Sequence, residues 1–251
     1  MNRPLVKLIG LYELAIFAVT SGRQPLRPLV STPRPQLTID VVLDLVCPWC
    51  FIGFRGLDWA AMALSFEFDL GVRFRPYQLD PTTPVAGRDR ESVWQEKFPD
   101  SEIRARVVSA LHEAMADVGL SFALDRPDRL PNTLDAHRVV RWAGLEGGGR
   151  EMVAALFEAY WTEGADISRH DVLAAAAETA GLGGADIEAR LASDEDRADI
   201  AQEMSELRAG GVTGVPTFIV NEKAGFPGAL PKAELLAALR QLAEETTGGE
   251  G

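Results

Sequence analysis

The sequence predicts an α/β fold in which a long helical segment interrupts a small sheet domain. Two stretches with strand character, residues 37–43 and 71–75, flank a segment with helical periodicity, an order that predicts parallel pairing through a right-handed crossover. After residue 90 the apolar residues follow helical spacing until strand character returns at 214–220. The predicted organisation has four parts: an N-terminal extension at 1–36, the first half of the sheet domain at 37–90, a helical insertion at 91–208 and the second half of the sheet domain at 209–251.

The first half of the sheet domain is predicted from three successive patterns. Residues 37–43 are rich in β-branched side chains and predict a buried strand. Apolar residues three or four apart then predict a helix from Cys47 to about Glu67. Residues 71–75 alternate apolar and basic side chains, so they predict a second strand that ends at Pro76.

The insertion shows helical spacing throughout, including a wide apolar stripe at 152–161. This stripe either packs in the core or lines a substrate groove, and core packing is the commoner arrangement. His137 lies on a predicted helix beside apolar neighbours, so we interpret it as a hydrogen-bonded structural residue. Two capping boxes predict helix starts: Ser168 with Asp171, and Ser193 with Asp196.

The second half of the sheet domain is predicted to supply antiparallel partners for the first. Residues 214–220 have strand character, and residues 221–223 form a turn. Gly225 and Phe226 predict a short edge strand, and Pro231 starts the last helix.

Composition places the chain among ordinary globular proteins. It has 251 residues, of which 47% are hydrophobic and 25% are charged. The 25 basic and 37 acidic residues give a net charge of −12, which argues against a general nucleic-acid or anionic-membrane partner.

The N-terminal extension carries a weak signal-like pattern. Arg3 and Lys7 precede an apolar stretch at 8–19, as in a signal peptide. Glu13 interrupts that stretch, no small-residue cleavage site follows, and the stretch is too short to span a bilayer. A proline-rich linker comes next, with Pro25, Pro28, Pro33 and Pro35. Three alternatives stay open: a secretion signal, a short amphipathic helix, or translated sequence ahead of the true start.

The only two cysteines, Cys47 and Cys50, enclose Pro48 and Trp49 at the predicted strand-to-helix junction. A C-x-x-C pair in this position predicts a thioredoxin-like redox site. Pro48 suits the first helical position, so Cys47 lies at the helix N-terminus, where unpaired N–H groups and the helix dipole favour its thiolate form. Cys50, one helical turn later, faces the same side and can form a disulfide with Cys47.

Two other interpretations of the cysteines are half of a zinc site and a pair of buried structural residues. Zinc needs about four ligands, and the chain has no third cysteine and no histidines with ligand spacing among His112, His137 and His170, so no metal is predicted. Residues 147–149 lack the context of a phosphate loop, and no cofactor is predicted. With no structural disulfide framework, a cytoplasmic location is predicted, although the signal-like N-terminus leaves secretion open.

Six segments resemble, in the same order, the DsbA-like branch of the thioredoxin superfamily, and within it the FrnE-type proteins and their 2-hydroxychromene-2-carboxylate isomerase relatives. The segments are DLVCPWCFIG at 44–53, RPYQLDP at 75–81, NTLDAHR at 132–138, FEAYWTEGADIS at 157–168, LASDED at 191–196 and GVTGVPTFIV at 211–220. The resemblance extends from residue 37 to about residue 240. It implies a thioredoxin-like fold with a large all-helical insertion, the DsbA-like architecture.

The resemblance also implies roles for individual residues. Cys47 corresponds to the family's exposed nucleophile and Cys50 to the resolving cysteine. Pro216 matches the cis-proline loop and Val215 the residue before it, so we expect a cis Val215–Pro216 bond next to the cysteines. Val215 would offer its backbone to an extended peptide. The expected substrate-binding residues are Pro48, Trp49, Val215 and Pro216.

Two departures from the family pattern limit this transfer. Many relatives place an acidic residue six positions before the first cysteine, where this chain has Val41. Asp44 is the nearest acid and the candidate proton relay for Cys50; the alternative is an ordinary strand-end carboxylate. Residues 226–231 read FPGALP, whereas the family pattern is closer to S-G-A-Q-P, so no substrate contact is assigned to that loop.

The leading functional hypothesis is a thiol–disulfide oxidoreductase that exchanges a disulfide with a protein substrate or a small thiol such as glutathione. The alternative is a glutathione-dependent isomerase or transferase of the 2-hydroxychromene-2-carboxylate isomerase type. Such relatives typically carry Ser in place of the first cysteine, so Cys47 argues against it. A third class is a non-catalytic chaperone or accessory protein. Neither a nucleic-acid partner nor a membrane span is predicted.

Overall fold

Four strands form the central sheet in the computed structural model, which describes residues 34–126 and 128–247. In chain order the strands of this part are β1 (Gln36–Leu43), β2 (Asp69–Pro76), β3 (Arg88–Asp89), β4 (Arg129–Leu130), β5 (Thr217–Val220) and β6 (Ala224–Pro227). The helices are α1 (Pro48–Leu64), α2 (Arg90–Lys97), α3 (Ser101–Asp117), α4 (Leu134–Leu145), α5 (Gly149–Phe157), α6 (His170–Thr179), α7 (Gly184–Leu191), α8 (Arg197–Ala209) and α9 (Lys232–Thr247), and a π-helical turn (Glu158–Glu163) follows α5.

The strand order β2-β1-β5-β6 places β1 inside the sheet. β1 pairs in parallel with β2, with Ile39 opposite Val72, and antiparallel with β5, where Ile39 lies opposite Val220. Nearly all of β1 is buried, as expected for a strand with a neighbour on each edge. The predicted strand–helix–strand unit is confirmed, although α1 ends at Leu64 instead of near Glu67.

The second half of the sheet domain forms the predicted hairpin. β5 and β6 pair antiparallel across a turn in which Asn221 and Glu222 adopt positive φ angles of 50° and 57°. Strand structure begins only at Thr217, because residues 214–216 bend into a loop beside the cysteines. α9 follows directly after Pro231, as predicted.

The insertion between β2 and β5 gives the predicted α/β architecture with one difference in detail. Arg129–Leu130 forms β4, which pairs antiparallel with β3, so the insertion is not purely helical. Two residues are too few for hydrophobic periodicity to indicate a strand.

The described residues from Pro35 onward form one compact unit. Among the described residues, no helix has the length and apolar character needed to cross a membrane. Of the predicted N-terminal extension at 1–36, residues 1–33 lie outside the described part, and Gln36 already belongs to β1. The division of the chain into four parts stays a prediction.

Both predicted capping boxes are wrong. α6 begins at His170 and α8 at Arg197, so neither Ser168 nor Ser193 is an N-cap residue. Ser168 donates its hydroxyl to Asp166 at 2.6 Å, and Ser193 donates to a backbone carbonyl of α7 at 2.8 Å. The serine side chains therefore stabilise turns ahead of the helices, a competing arrangement that the four-residue spacing does not distinguish.

The apolar stripe at 152–161 packs in the core, as predicted. Phe157 stacks on Phe51 of α1 with ring centroids 4.9 Å apart. Trp161 donates its indole N–H to the backbone oxygen of Leu45 at 3.2 Å. This bond joins the insertion to the loop before the cysteines, so the stripe also helps to position that loop.

Candidate active site

Cys47 and Cys50 lie at the start of α1, as the motif predicts. Cys47 is the N-cap residue, with φ −92° and ψ 117°, and Pro48 follows at the first helical position. The Cys47 carbonyl accepts the N–H of Cys50 at 3.0 Å, so the two residues share the first helical turn. Both are free thiols. The positive end of the α1 dipole therefore acts on the Cys47 sulfur.

The expectation that Cys47 is exposed is wrong. Cys47 retains 3% of its accessible surface and Cys50 retains 1%. Trp49 and Val215 pack against the core cluster that contains both cysteines, because the loop carrying Val215 returns to the start of α1 after the whole insertion. The Cys47 side chain is therefore almost closed off from solvent in this structure.

Burial raises the pKa of the Cys50 thiol well above its ordinary value. Cys47 raises this pKa further through a hydrogen bond and through its charge. The backbone N–H of Asp44 lowers it, whereas the negative charge of the Asp44 carboxylate raises it. Cys50 is consequently a neutral thiol at physiological pH.

The loop at Val215–Pro216 lies beside Cys47 and contains the predicted cis peptide bond. The Cys47 thiol points to the Val215 carbonyl, with 3.7 Å between Sγ and the oxygen. Pro216 packs against α1 at Gly53, where a Cβ atom would lie 2.9 Å from Pro216 Cγ. The absence of a side chain at Gly53 thus permits the close approach of loop and helix.

The segment that departs from the family pattern supports this loop. Gly228 donates its N–H to the Pro216 carbonyl at 2.8 Å, and the Gly228–Ala229 bond is also cis. Phe226 stacks on Phe218 of β5 with ring centroids 5.5 Å apart. The role of the segment in the structure is to hold Pro216.

Asp44 is buried next to His137. Its Oδ2 atom accepts the N–H of Leu79 at 2.8 Å. Its Oδ1 atom has no hydrogen-bond partner among the described residues and lies 3.7 Å from Nε2 of His137. The same Nε2 lies 3.1 Å from the backbone oxygen of Tyr77. His137 therefore has the structural hydrogen bond that was predicted, and it also faces a buried acid 93 positions away in the sequence.

A cleft of about 230 Å³, which we call the Pro48 cleft, opens beside the start of α1. Its lining includes Asp44, Pro48, Leu79, Arg90, Trp94 and Trp161. The Arg90 guanidinium lies 5.5 Å from the centre of the Trp161 ring and 5.9 Å from that of Trp94. A second cavity of about 370 Å³ shares Pro48, Arg90 and Trp94 with the cleft. The two spaces adjoin at these shared residues and together form a groove, and the Arg90 cation lines both parts of it.

Arg90 and Trp94 line the candidate site, and the sequence does not reveal this. They lie on α2, which has no buried residue and therefore no apolar stripe. The only signal in this stretch is a single tryptophan, which with Val93 stands among polar residues.

Residues 38–240 match the family of DSBA-like thioredoxin domains. The matched range includes both cysteines, the helical insertion and the Val215–Pro216 loop. A relative in Bacillus subtilis strain 168, the uncharacterized protein YwbO, is 27% identical over 204 residues, which cover 77% of this chain and 91% of that protein.

Several solved structures share the fold. One described as a probable DsbA oxidoreductase from Streptomyces coelicolor has a TM-score of 0.74 at 23% identity and covers 86% of this chain and 92% of its own. A 2-hydroxychromene-2-carboxylate isomerase has a TM-score of 0.61 at 15% identity, with coverage of 85% and 100%. The cytosolic disulfide reductase DsbM from Pseudomonas aeruginosa, solved with GSH (glutathione), has a TM-score of 0.55 at 21% identity, with coverage of 84% and 98%. From the match over residues 38–240 and this shared fold, we conclude that the chain belongs to the family of DSBA-like thioredoxin domains.

Proposed function

We propose that the protein is a thiol–disulfide oxidoreductase that acts through Cys47 and Cys50. Members of the DSBA-like family are disulfide oxidoreductases or isomerases that act on thiol or disulfide substrates. The observation that carries the proposal for this chain is the geometry at Cys47. Its sulfur lies at the N-terminus of α1, 3.7 Å from the Val215 carbonyl and one turn from a second free thiol.

In the reducing direction, the Cys47 thiolate attacks one sulfur of a substrate disulfide, and the other substrate sulfur leaves as a thiolate. Cys50 then loses its proton and attacks the Cys47 sulfur of the mixed disulfide. The Cys47–Cys50 disulfide forms, the first substrate sulfur leaves as a thiolate, and two electrons have passed to the substrate. The oxidising direction reverses these steps, and the reduction potential selects between them. We propose a reducing compartment for the protein, because its only cysteines are those of the site.

We assign substrate binding to Pro48, Trp49, Val215 and Pro216. In the reduced protein the Val215 carbonyl accepts a hydrogen bond from the Cys47 thiol. Once Cys47 has formed a mixed disulfide, this carbonyl becomes free to accept an N–H from an extended substrate peptide. Arg90 in the adjoining groove favours a carboxylate near the substrate sulfur, which a peptide or glutathione supplies. The structure of DsbM with GSH supports a small thiol as one substrate.

We propose Asp44 as the proton acceptor for Cys50. The carboxylate is buried, one of its oxygens has no hydrogen-bond partner among the described residues, and its charge acts on the Cys50 thiol. A buried carboxylate of this kind suits general-base chemistry. The position that many relatives give to an acid is taken here by Val41, which is buried in the sheet.

A glutathione-dependent isomerase or transferase is the second candidate function. The shared fold with 2-hydroxychromene-2-carboxylate isomerase favours it. In that reaction type the thiol of glutathione does the chemistry, so Cys47 and Cys50 would not be needed.

The decisive experiment is the reduction potential of the Cys47–Cys50 pair, measured by equilibration against glutathione buffers, together with turnover of a protein disulfide. We expect one two-electron couple and turnover that falls to background in Cys47→Ser. A Cys47→Ser protein that has no disulfide exchange but catalyses a glutathione-dependent isomerisation or transfer would favour the isomerase. Wild-type protein without any disulfide exchange would refute the proposal.

A further inference from the structure

We infer that His137 carries protons between Asp44 and a second cavity, so that Cys50 can gain or lose its proton while a substrate covers the Pro48 cleft. The inference rests on the proposed function, because it concerns the proton that disulfide exchange moves at Cys50. His137 would be a positioning residue, since it acts on Cys50 only through Asp44.

Asp44 and His137 form an almost wholly buried pair, with side chains 2% and 1% exposed. A buried carboxylate oxygen without a hydrogen bond is costly, and Oδ1 of Asp44 is such an atom within the described part of the chain. Nε2 of His137 lies 3.7 Å from it. Because Nε2 also lies 3.1 Å from the Tyr77 carbonyl, it holds a proton that can move to Oδ1 after a small displacement.

The pair connects two separate spaces. Asp44 lines the Pro48 cleft, whereas His137 lines a cavity of about 480 Å³ along β2, which we call the edge-strand cavity. Neither residue lines the other's space. A proton that reaches Asp44 from Cys50 therefore has a way to water that does not pass through the cleft.

Charged groups face the pair from both sides. On the cleft side Asp44 acts on Cys50 and on Tyr160, and Arg90 lies near Tyr160. The charged residues of the edge-strand cavity are Arg73, Arg75, Arg141, Arg150 and Glu203. Glu203 accepts hydrogen bonds from both Arg75 and Arg141. One carboxylate and four guanidinium groups therefore line the cavity to which His137 would pass the proton.

The chemistry requires such a route whenever the cysteines change redox state. When the Cys47–Cys50 disulfide opens, Cys50 leaves as a thiolate, which burial disfavours, so it must take up a proton. When the disulfide forms, Cys50 must release that proton before its sulfur attacks Cys47. At both moments a substrate is bonded to Cys47 and occupies the cleft. When Cys50 takes up a proton, Nε2 of His137 gives its proton to Asp44, which passes it to Cys50, and the other ring nitrogen takes a proton from water in the edge-strand cavity. When Cys50 later releases its proton, Asp44 passes it to the now unprotonated Nε2, and the other ring nitrogen returns a proton to that water, so the ring ends as it began.

The test uses Ellman's reagent with the full-length reduced protein, in a single turnover followed from pH 5 to pH 10. Attack by Cys47 releases one thionitrobenzoate and leaves the other bonded to Cys47. Attack by Cys50 on Cys47 then releases the second one and forms the disulfide. The rate of the second release reports the loss of the Cys50 proton, and the rate of the first release serves as an internal control for folding and for Cys47.

We expect Asp44→Asn to slow the second release at pH 7 by roughly 100-fold, in the range of general-base catalysis. We expect His137→Gln to slow it by at least about tenfold, although glutamine keeps an N–H for the Tyr77 carbonyl. As the pH rises from 7 to 10, towards the raised pKa of Cys50, the difference between the variants and wild type should shrink, because a growing fraction of the thiolate then forms without a base. A purely structural role would not produce this convergence.

A faster second release in Asp44→Asn, instead of a slower one, overturns the inference. If Asp44 acts only through its charge, Asp44→Asn lowers the pKa of Cys50 and speeds the second release at pH 7. A His137→Gln protein with the wild-type pH profile likewise rejects the route. The matched control is His170→Gln, because His170 faces Asp135 at 3.4 Å with a side chain 40% exposed, outside both cavity linings. This control should leave both releases unchanged.

If a variant fails to fold, the solvent deuterium isotope effect on the wild-type protein replaces it as the test. We then expect an isotope effect on the second release and none on the first. Absence of that difference rejects the inference. Because the reaction with Ellman's reagent needs only the two thiols, a negative result here is distinct from failure of the proposed function, which would appear as absent exchange with substrate disulfides.

Discussion

Cys47 and Cys50 differ little in exposure and greatly in what surrounds their sulfur atoms. Both are buried, at 3% and 1% of their accessible surface. Cys47 lies at the positive, N-terminal end of the α1 dipole, and its sulfur faces the carbonyl of Val215 from near the other end of the chain. Cys50 lies one helical turn later, where burial and the neighbouring negative charge raise the pKa of its thiol. The comparison teaches that two cysteines in one helical turn acquire different surroundings through their immediate contacts, not through accessibility, and the separate roles that we propose for them rest on this difference.

The largest effect that tests this comparison comes from replacing each cysteine by serine. Cys47→Ser should lose disulfide exchange to background, because no thiolate remains at the N-terminus of α1. Cys50→Ser should still react with glutathione disulfide and should accumulate the mixed disulfide, since the resolving thiol is absent. Mass spectrometry of the intact proteins measures both outcomes. An adduct on Cys47→Ser and none on Cys50→Ser would reverse the assigned roles.

The next effect concerns the loop whose Val215 carbonyl contacts Cys47. In Gly53→Ala the new Cβ would lie 2.9 Å from Pro216 Cγ and 3.4 Å from the Phe218 ring. Overpacking of this kind costs about 1–3 kcal/mol and should move the Val215 carbonyl away from the Cys47 sulfur. We expect a lower melting temperature and slower mixed-disulfide formation.

Gly144→Ala is the matched control for that substitution. A Cβ at Gly144, in the last turn of α4, would meet no atom within 4 Å. Alanine there should leave exchange unchanged and stabilise the helix by at most about 1 kcal/mol. Equal behaviour of the two variants would show that Gly53 does not position the loop.

A third effect sharpens the description of Cys50. Because the pKa of Cys50 is raised, its thiol stays protonated to a higher pH than that of an ordinary cysteine. In folded Cys47→Ser, iodoacetamide labelling of Cys50 should therefore still be accelerating above pH 9. In the same protein unfolded in urea, the rate should level off once the pH passes about 8.5, the ordinary cysteine value. Identical profiles would contradict the effect of burial.

The smallest expected effect concerns the cation near Cys47. Arg90→Gln should slow reaction with glutathione disulfide, which carries carboxylates, by about two- to fivefold relative to cystamine, which carries amines. Arg106→Gln, on the exposed surface of α3 and outside both cavities, is the control. The ratio of the two rates should change in Arg90→Gln alone, and high salt should reduce the change.

The parts of the site that the sequence predicts are those fixed by local rules. Pro48 after Cys47 indicates where α1 begins, and a C-x-x-C spacing places Cys50 on the same side of the helix. The cis bond at Pro216 was expected from a resemblance whose segments extend across the chain. The strand–helix–strand unit follows from periodicity alone.

The remaining features depend on residues that meet only in the folded protein. Cys47 contacts the carbonyl of Val215, which lies 168 positions away. Contact between Asp44 and His137 brings together a strand end and a helix of the insertion. The residues around each partner of such a contact show no hydrophobic period or motif that points to the other partner, so no short stretch of sequence predicts the contact. The serine turns before α6 and α8 show the same limit at short range, because one spacing is compatible with two hydrogen-bond arrangements.

The distance in sequence between Cys47 and Pro216 also has a consequence for synthesis on the ribosome. At about 5–20 residues per second, some 8–35 seconds separate translation of the first cysteine from translation of the proline beside it. During that interval the growing chain presents two thiols without the loop that covers them and without the last two strands of the sheet. Any oxidant or foreign disulfide encountered then meets an ordinary dithiol. The covered form of the cysteine pair is therefore completed late in synthesis, when the β5–β6 hairpin joins the sheet.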